Sequence, residues 1–334
     1  MQSEQLDAIV ESVLPRYGIG VAGVLPLDEH TLLVDTEHRG IKRLHIDTEE
    51  RKVERRHALW EHLAQQGFRR VPRHIRTLYG DALVRHGDLI CTLSDDWEGR
   101  TPDLYPLDMR LCGRNLARLH QACRGLKLPE GIALPKRHGT WSERFAKAGD
   151  ELQERFHAWS ELRQHNPLQE RFVAHYEWIA EQIGRAVEGL SAGRYEELAR
   201  LSEADGEFAV GDYRLSDLRI DAEGRIATLH IDDALADLPL YDAAKFALGL
   251  LERGEQEMAR VFLDAYGEEA EMTQQQLIVL DAYLAFPHAA YRHLSQYQRL
   301  KRGAEVFAER LEGAVYAAQN RQPMVYGADG ARWS

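Results

Sequence analysis

VGDYRLSDLRIDAEGRIATLHIDDALADLPLYD, residues 210–242, sets carboxylates on both sides of a strand-turn-strand pattern. The apolar lead-in Phe208-Ala209-Val210 ends at Gly211-Asp212, which predicts a tight loop after a buried segment, with Asp212 facing a cleft. Leu218 and Ile220 alternate with Arg219 and Asp221, Glu223-Gly224 supplies a turn, and residues 226–231 return as a second strand ending at Asp232-Asp233. Such a hairpin would carry Asp212, Asp217 and Asp232 to one mouth. Three converging carboxylates repel one another, so they need a shared proton, a hard cation such as magnesium, or an arginine. Arg214 and Arg219 are the candidates for the last role. Phosphoryl transfer uses a carboxylate to orient the acceptor hydroxyl and oxygen ligands for nucleotide-bound magnesium, and this stretch could supply both. The alternative is a polar hairpin with solvated acids.

The remaining composition bounds what surrounds this stretch. The chain has 334 residues, 44% hydrophobic and 29% charged, enough for two domains or lobes with their own cores. The start MQSEQLDAIVES is polar and amphipathic, and no run of eighteen apolar residues follows, which argues against a signal peptide or a membrane span. A formal charge of −12 disfavours nucleic acid and membrane surfaces as partners. Cys91, Cys112 and Cys123 form no CxxC pair, so buried thiols are expected in place of disulfides or zinc. These features together predict a cytoplasmic protein.

Along the chain, Leu6, Ile9, Val10, Val13 and Leu14 fall at helical spacing before Pro15, and strand-like runs follow at 21–27, 31–36 and 41–46. A charged helix over 49–66 buries Val53, Leu59, Trp60 and Leu63 and ends at Gly67. Alternating short strands with turns at Gly80-Asp81 and His86-Gly87-Asp88 run into Trp97-Glu98-Gly99-Arg100. From Tyr105 the periodicity turns helical, with Leu107, Leu111, Leu116, Leu119 and His120 on the first helix; His120 reads as a packed, hydrogen-bonded histidine. After a loop over 125–139, helices are expected at 141–162, 167–190, 243–254, 256–266, 274–287 and 294–319, with a frayed tail at 327–334. Trp159, Phe172, Tyr176 and Trp178 read as helix-interface residues.

VGDYRLSDL resembles the HGDxHxxN loop of aminoglycoside and choline kinases, and IDDALADLPLYDAA resembles the segment that follows it there. The order of elements is most similar to the bacterial spore-coat kinase-like family of the CotS type. It includes GF-x-x-VP, W-x-GR, the LARLHQA start of a helical lobe, and YLAFPHAAYRHL near the end. The resemblance implies Asp212 as the catalytic carboxylate, Asp217 and Asp232 as magnesium ligands, and Asp242 as a prop for the loop. It also implies that Lys42 grips nucleotide phosphates and pairs with a glutamate of the next helix, for which Glu54 and Glu61 are candidates. Arg56 stands nearest the position of that glutamate. The departures are Val210 and Arg214 in place of two histidines, Asp217 in place of an asparagine, and no glycine-rich phosphate loop between the first two strands.

The resemblance therefore implies an α+β, two-lobed, protein-kinase-like fold. It would have a small antiparallel-sheet lobe over 1–95, a helical lobe over 96–326 that carries loop 210–242, and the tail. The function it implies is ATP- and magnesium-dependent phosphate transfer to a hydroxyl of a sugar or amino-alcohol, with nucleotide and acceptor in the interlobe cleft. The alternative is an inactive pseudokinase that serves as a structural or assembly protein among other spore-coat proteins. A third reading is a non-catalytic small-molecule binder. In each case the protein would be made in the mother-cell cytoplasm and deposited in the coat.

Overall fold

The structure is a computed structural model that describes residues 3–321; the expected tail at 327–334 lies outside the described residues. The chain forms two compact units. The first comprises residues 1–102, 125–134 and 213–234, and the second comprises 103–124, 135–212 and 235–334.

The first unit opens with helix α1 (Ser3–Val13), then strands β1 (Val21–Pro26), β2 (Thr31–Thr36) and β3 (Gly40–Asp47), helix α2 (Glu50–Gln65), and strands β4 (Val84–His86) and β5 (Leu89–Asp95). The five strands make one antiparallel sheet in the order β1-β2-β3-β5-β4. Alternation along β3 decides which side chains share a face. Leu44 and Ile46 join Ile9, Val13, Leu14, Val34 and Leu93 in a core, and Lys42 shares their side of the strand. Arg43, His45 and Asp47 take the other side, and two of these, His45 and Asp47, line a cavity with residues of α2. Helix α2 buries Val53, Leu59, Trp60 and Leu63, the stripe that its sequence periodicity predicts. Residues 213–234 add a two-stranded antiparallel pair, β6 (Leu218–Ile220) and β7 (Ile226–Thr228), tied to the sheet unit by the Arg100–Ile220 bridge. Strand β7 stops at Thr228, short of the expected 231, because Leu229 N turns to donate to the Asp217 carbonyl at 2.8 Å.

The second unit is helical: α3 (Pro106–Ala122), α4 (Trp141–Ser160), α5 (Pro167–Ala192), α6 (Tyr195–Ala204), α7 (Leu240–Leu251), α8 (Gln256–Ala270), α9 (Gln274–Ala285), α10 (His288–Leu300) and α11 (Ala304–Gln319). Its core includes Trp141, Phe172, Tyr195 and Phe262, all fully buried. Helices α3 and α8 approach so closely that a Cβ on Gly113 would stand 2.4 Å from the Phe262 carbonyl oxygen. The expected single helix over 294–319 is two helices, because Lys301 and Gly303 adopt φ of 50° and 75° and turn the chain between α10 and α11. Helix α6 had no counterpart in the sequence reading.

Candidate functional site

Helix α2 places Lys52 and Arg56 four residues apart, hence on one face. That face borders a cavity of about 450 Å³ in the first unit, lined also by His45, Asp47, His74 and Asp232. Arg56 is the centre of its charge arrangement. One guanidinium nitrogen, Nη1, donates to Asp232 Oδ2 at 2.9 Å, and the other, Nη2, to Asp47 Oδ2 at 2.6 Å. Lys52 Nζ reaches the same Asp232 oxygen at 3.3 Å. Burial opposes the charge on Arg56, and the two carboxylates outweigh it, so its pKa is raised above the usual arginine value. Burial likewise pushes Asp232 upward, and Arg56 and Lys52 outweigh that push, holding its carboxyl below the usual carboxylate range.

Two histidines of the cavity, His45 and His74, carry no charge near neutrality. Burial, with help from Arg56 and Arg43, depresses His45 to about 4. Burial and then Arg56 depress His74 to about 2. The charged lining is therefore Lys52 and Arg56 against Asp47, Glu49 and Asp232.

Lys42 lies on the core side of β3 and is 9% exposed. Its ammonium donates to the Arg39 carbonyl and to Asp95, at 2.8 Å, directly across the β3–β5 ladder. Its carboxylate partner is thus Asp95, not a helix glutamate. Glu54 lines a different cavity of about 670 Å³ in the same unit, beside Arg16, Arg76 and Arg85. Glu61 is held by Arg73 through two hydrogen bonds, at 2.8 and 2.7 Å.

Of the three carboxylates expected at one mouth, Asp217 and Asp232 belong to the first unit and Asp212 to the second. Arg214 lies 3.8 Å from Asp233, and Arg219 donates to the Ser216 and Leu218 carbonyls. The cations on Asp232 are thus from α2 and not from the hairpin. Asp217 accepts from Ser216 Oγ at 3.2 Å, which leaves its Oδ2 buried and without a partner, as is Oδ1 of Asp232.

Those two oxygens are the donors on which a magnesium ion could be tested. Among the described residues, no group of three or more His, Cys, Asp or Glu side chains could hold a metal ion. Two neighbouring cations also oppose a third. At an effective dielectric of about 20, unit charges about 4 Å apart interact by about 4 kcal/mol, so Arg56 and Lys52 offset much of the attraction Asp232 would exert. The first unit alone therefore fits a resident divalent cation poorly.

In the second unit the loop at 210–212 rests on Asp242, the buried first-turn carboxylate of α7. Val210 N and Gly211 N donate to it at 2.6 and 2.8 Å. His120 Nε2 lies 2.9 Å from the same carboxylate, and its Nδ1 lies 2.9 Å from Tyr266 Oη. Gly211 takes φ of 86°, a conformation that keeps its amide on Asp242 and that a residue with Cβ resists. Lys245, on the next turn of α7, donates to the Gly211 carbonyl at 2.7 Å and pairs with Asp212 at 3.2 Å. Val210 contributes through its backbone, which explains how an apolar residue stands here. Asp237 is buried against Trp141 Nε1 at 2.9 Å, and burial pushes its carboxyl up to about 7.

Sequence reasoning did not assign Lys52, Arg56, Asp47 or Lys245 to the site. The i, i+4 spacing of Lys52 and Arg56 on a helix with its own apolar stripe was the available signal.

The family model described as "Spore coat putative kinase YutH" matches residues 11–205. Among solved structures, an aminoglycoside phosphotransferase from Alicyclobacillus acidocaldarius is similar with a TM-score of 0.75 at 14% identity, covering 92% of each chain. Spectinomycin phosphotransferase, solved with ADP and spectinomycin, is similar at 0.58 and 13% identity, covering 97% of this chain and 96% of that one. The macrolide 2'-phosphotransferase MphH from Brachybacterium faecium is similar at 0.53 and 14%, covering 96% and 99%. At these identities the likeness establishes the fold, which is that of the aminoglycoside phosphotransferases, in agreement with the α+β expectation.

Proposed function

We propose, for a chain that belongs to the spore-coat kinase-like family YutH, that the kinase fold here serves binding and assembly in the spore coat and not phosphate transfer. The observation that carries this reading is the pairing of Asp232 with both Arg56 and Lys52. A carboxylate that neutralises two protein cations has little field left for magnesium on nucleotide phosphates. The reading also draws support from Lys42, which is engaged with Asp95, and from the acids Asp28 and Glu29 where a phosphate loop would need glycines. The protein would be made in the mother-cell cytoplasm and laid into the coat beside other coat proteins.

A second reading keeps the reaction. It is favoured by the unpartnered oxygens of Asp217 and Asp232, and by the similarity to a phosphotransferase solved with ADP and spectinomycin. Asp217 and Asp232 would hold magnesium, which would neutralise charge on ATP. Lys42, released from Asp95, would bind phosphates, and Asp212 would orient the hydroxyl of a sugar or amino-alcohol.

Calorimetric titration of magnesium-ATP into the purified protein and into Asp232→Ala separates the two. The assembly reading expects no saturable, magnesium-dependent heat from the intact protein, with folding confirmed by its melting curve. Saturable binding that disappears in Asp232→Ala would overturn it in favour of the phosphotransferase.

A further inference from the structure

A third cavity lies wholly within the helical unit, and neither reading of the loop at 210–242 uses it. It has a volume of about 360 Å³ and is walled by Trp178 of α5, Phe286 at the end of α9 and the small residues of α11. Its charges are unequal. Arg292 holds Glu252 through Oε2 at 2.9 Å, while Arg310 and Arg321 have no ion-pair partner among the described residues. Three arginines and one carboxylate thus line it, with Arg310 exposed and its guanidinium 5.6 Å from the Phe307 ring centroid.

The unsatisfied atoms have a definite chemistry. Arg321 donates through Nη1 to the Leu284 carbonyl at 2.7 Å, but its Nε is buried without a partner. Arginine stays charged at any pH of interest, and a charge withdrawn from water needs an anion to face it. The planar fork of nitrogen donors matches a carboxylate. Glu252 Oε1 is also buried without a partner, and it asks for a donor. Trp178 and Phe286 line the same cavity.

Helix α11 supplies a separate observation. Gly313 sits in its interior, where glycine weakens a helix, and a Cβ built on it would meet nothing within 4 Å. It lines this cavity. Gly313 is exposed at the edge of the cavity, where a side chain would enter open space.

We propose that this cavity binds a small molecule carrying a carboxylate, a hydrogen-bond donor and an apolar group, the chemistry of a free amino acid with an apolar side chain. The carboxylate meets Arg321 and Arg310, the ammonium meets Glu252 Oε1, and the side chain lies against Trp178 and Phe286. The volume suits a ligand of that size.

The test is titration of L-phenylalanine into the full chain, followed by calorimetry, beside phenethylamine, which lacks the carboxylate, and 3-phenylpropionate, which lacks the ammonium. Gly313→Leu fills the cavity with a better helix former and removes no interaction, so its melting temperature should hold or rise while binding is lost. Arg310→Gln should weaken binding about tenfold, the loss expected for one charge-assisted hydrogen bond. Saturable binding of L-phenylalanine, stronger than either analogue and abolished in Gly313→Leu, supports the assignment. No saturable binding to the intact chain, binding that survives Gly313→Leu, or equal binding of either analogue would overturn it.

Discussion

Asp232, which is part-buried, and Asp242, which is buried, lie close together in sequence, and the molecule satisfies them in opposite ways. Asp232 is held by two side-chain cations, Arg56 and Lys52. Asp242 is held by two backbone amides and an imidazole. Hydrogen bonds to backbone amides fix the course of a loop and leave the surrounding charge free for other work. Ion pairs to long side chains fix little backbone and consume the carboxylate's charge. The 210–212 loop is thus braced by Asp242, while Asp232, the carboxylate expected to hold metal, is paired with two cations. This difference is the physical content of the assembly reading.

The largest expected effect breaks the first half of the comparison. Arg56→Ala leaves Asp47 without its guanidinium and Asp232 with Lys52 alone. These pairs are part-buried, so the cost falls between the exposed and the fully buried ranges, at about 2–3 kcal/mol. Urea unfolding measures it, and a cost below about 1 kcal/mol, the range of exposed pairs, would remove the clamp from the account. Asp242→Asn probes the other half. Losing the charge behind the hydrogen bonds to Val210 and Gly211 should cost about 1.5–3 kcal/mol, with faster amide hydrogen exchange at those two residues. Unchanged exchange there would mean that the brace does not hold the loop.

The smallest effect sharpens the electrostatic picture. His45 is depressed to about 4, so below its ordinary value of 6.5 the unfolded chain takes up a proton that the folded chain refuses. Its contribution to stability is complete above pH 6.5 and is lost as the pH falls toward 4, amounting to about 1 kcal/mol between pH 6.5 and 5.5. His74 and His288, depressed to about 2 and about 3, act in the same sense. Asp237 acts against them: raised to about 7, it favours the folded state at low pH and loses that contribution as the pH rises from its unfolded value of 3.8 toward 7. Stability should therefore fall on acidification below pH 6.5, and His45→Gln should flatten that slope by about the amount given. An unaltered slope would mean that burial, with Arg56 beside it, does not depress His45.

The fold was legible because its signals are local. The β1–β3 runs, the apolar stripe of α2 and the leucine spacing of α3 follow from periodicities of two and of 3.6 residues. The break at Lys301 was not legible, since a lysine in a left-handed conformation carries no mark in sequence, and α6 was missed because it is short. Asp242 entered the sequence reading through the family resemblance, which implied it as a prop for the loop. The engagement of Asp232 was not legible, because its partners come from α2, far away in sequence, and only folding of the sheet unit decides that Arg56 meets it. The hairpin arginines were the nearer choice by sequence and go elsewhere.

Gly113 gives the helical unit a gauge. It lies two turns before His120 on α3, and α8, which it lets approach, carries Tyr266, the partner of His120. The interior is packed too densely to absorb a wedge locally. A single methyl at position 113 would therefore be felt not only where it is inserted but along the lever of α3, at His120, then at Asp242, then at the amides of Val210 and Gly211. The order of the loop is inherited in part from a residue that has no side chain with which to touch it.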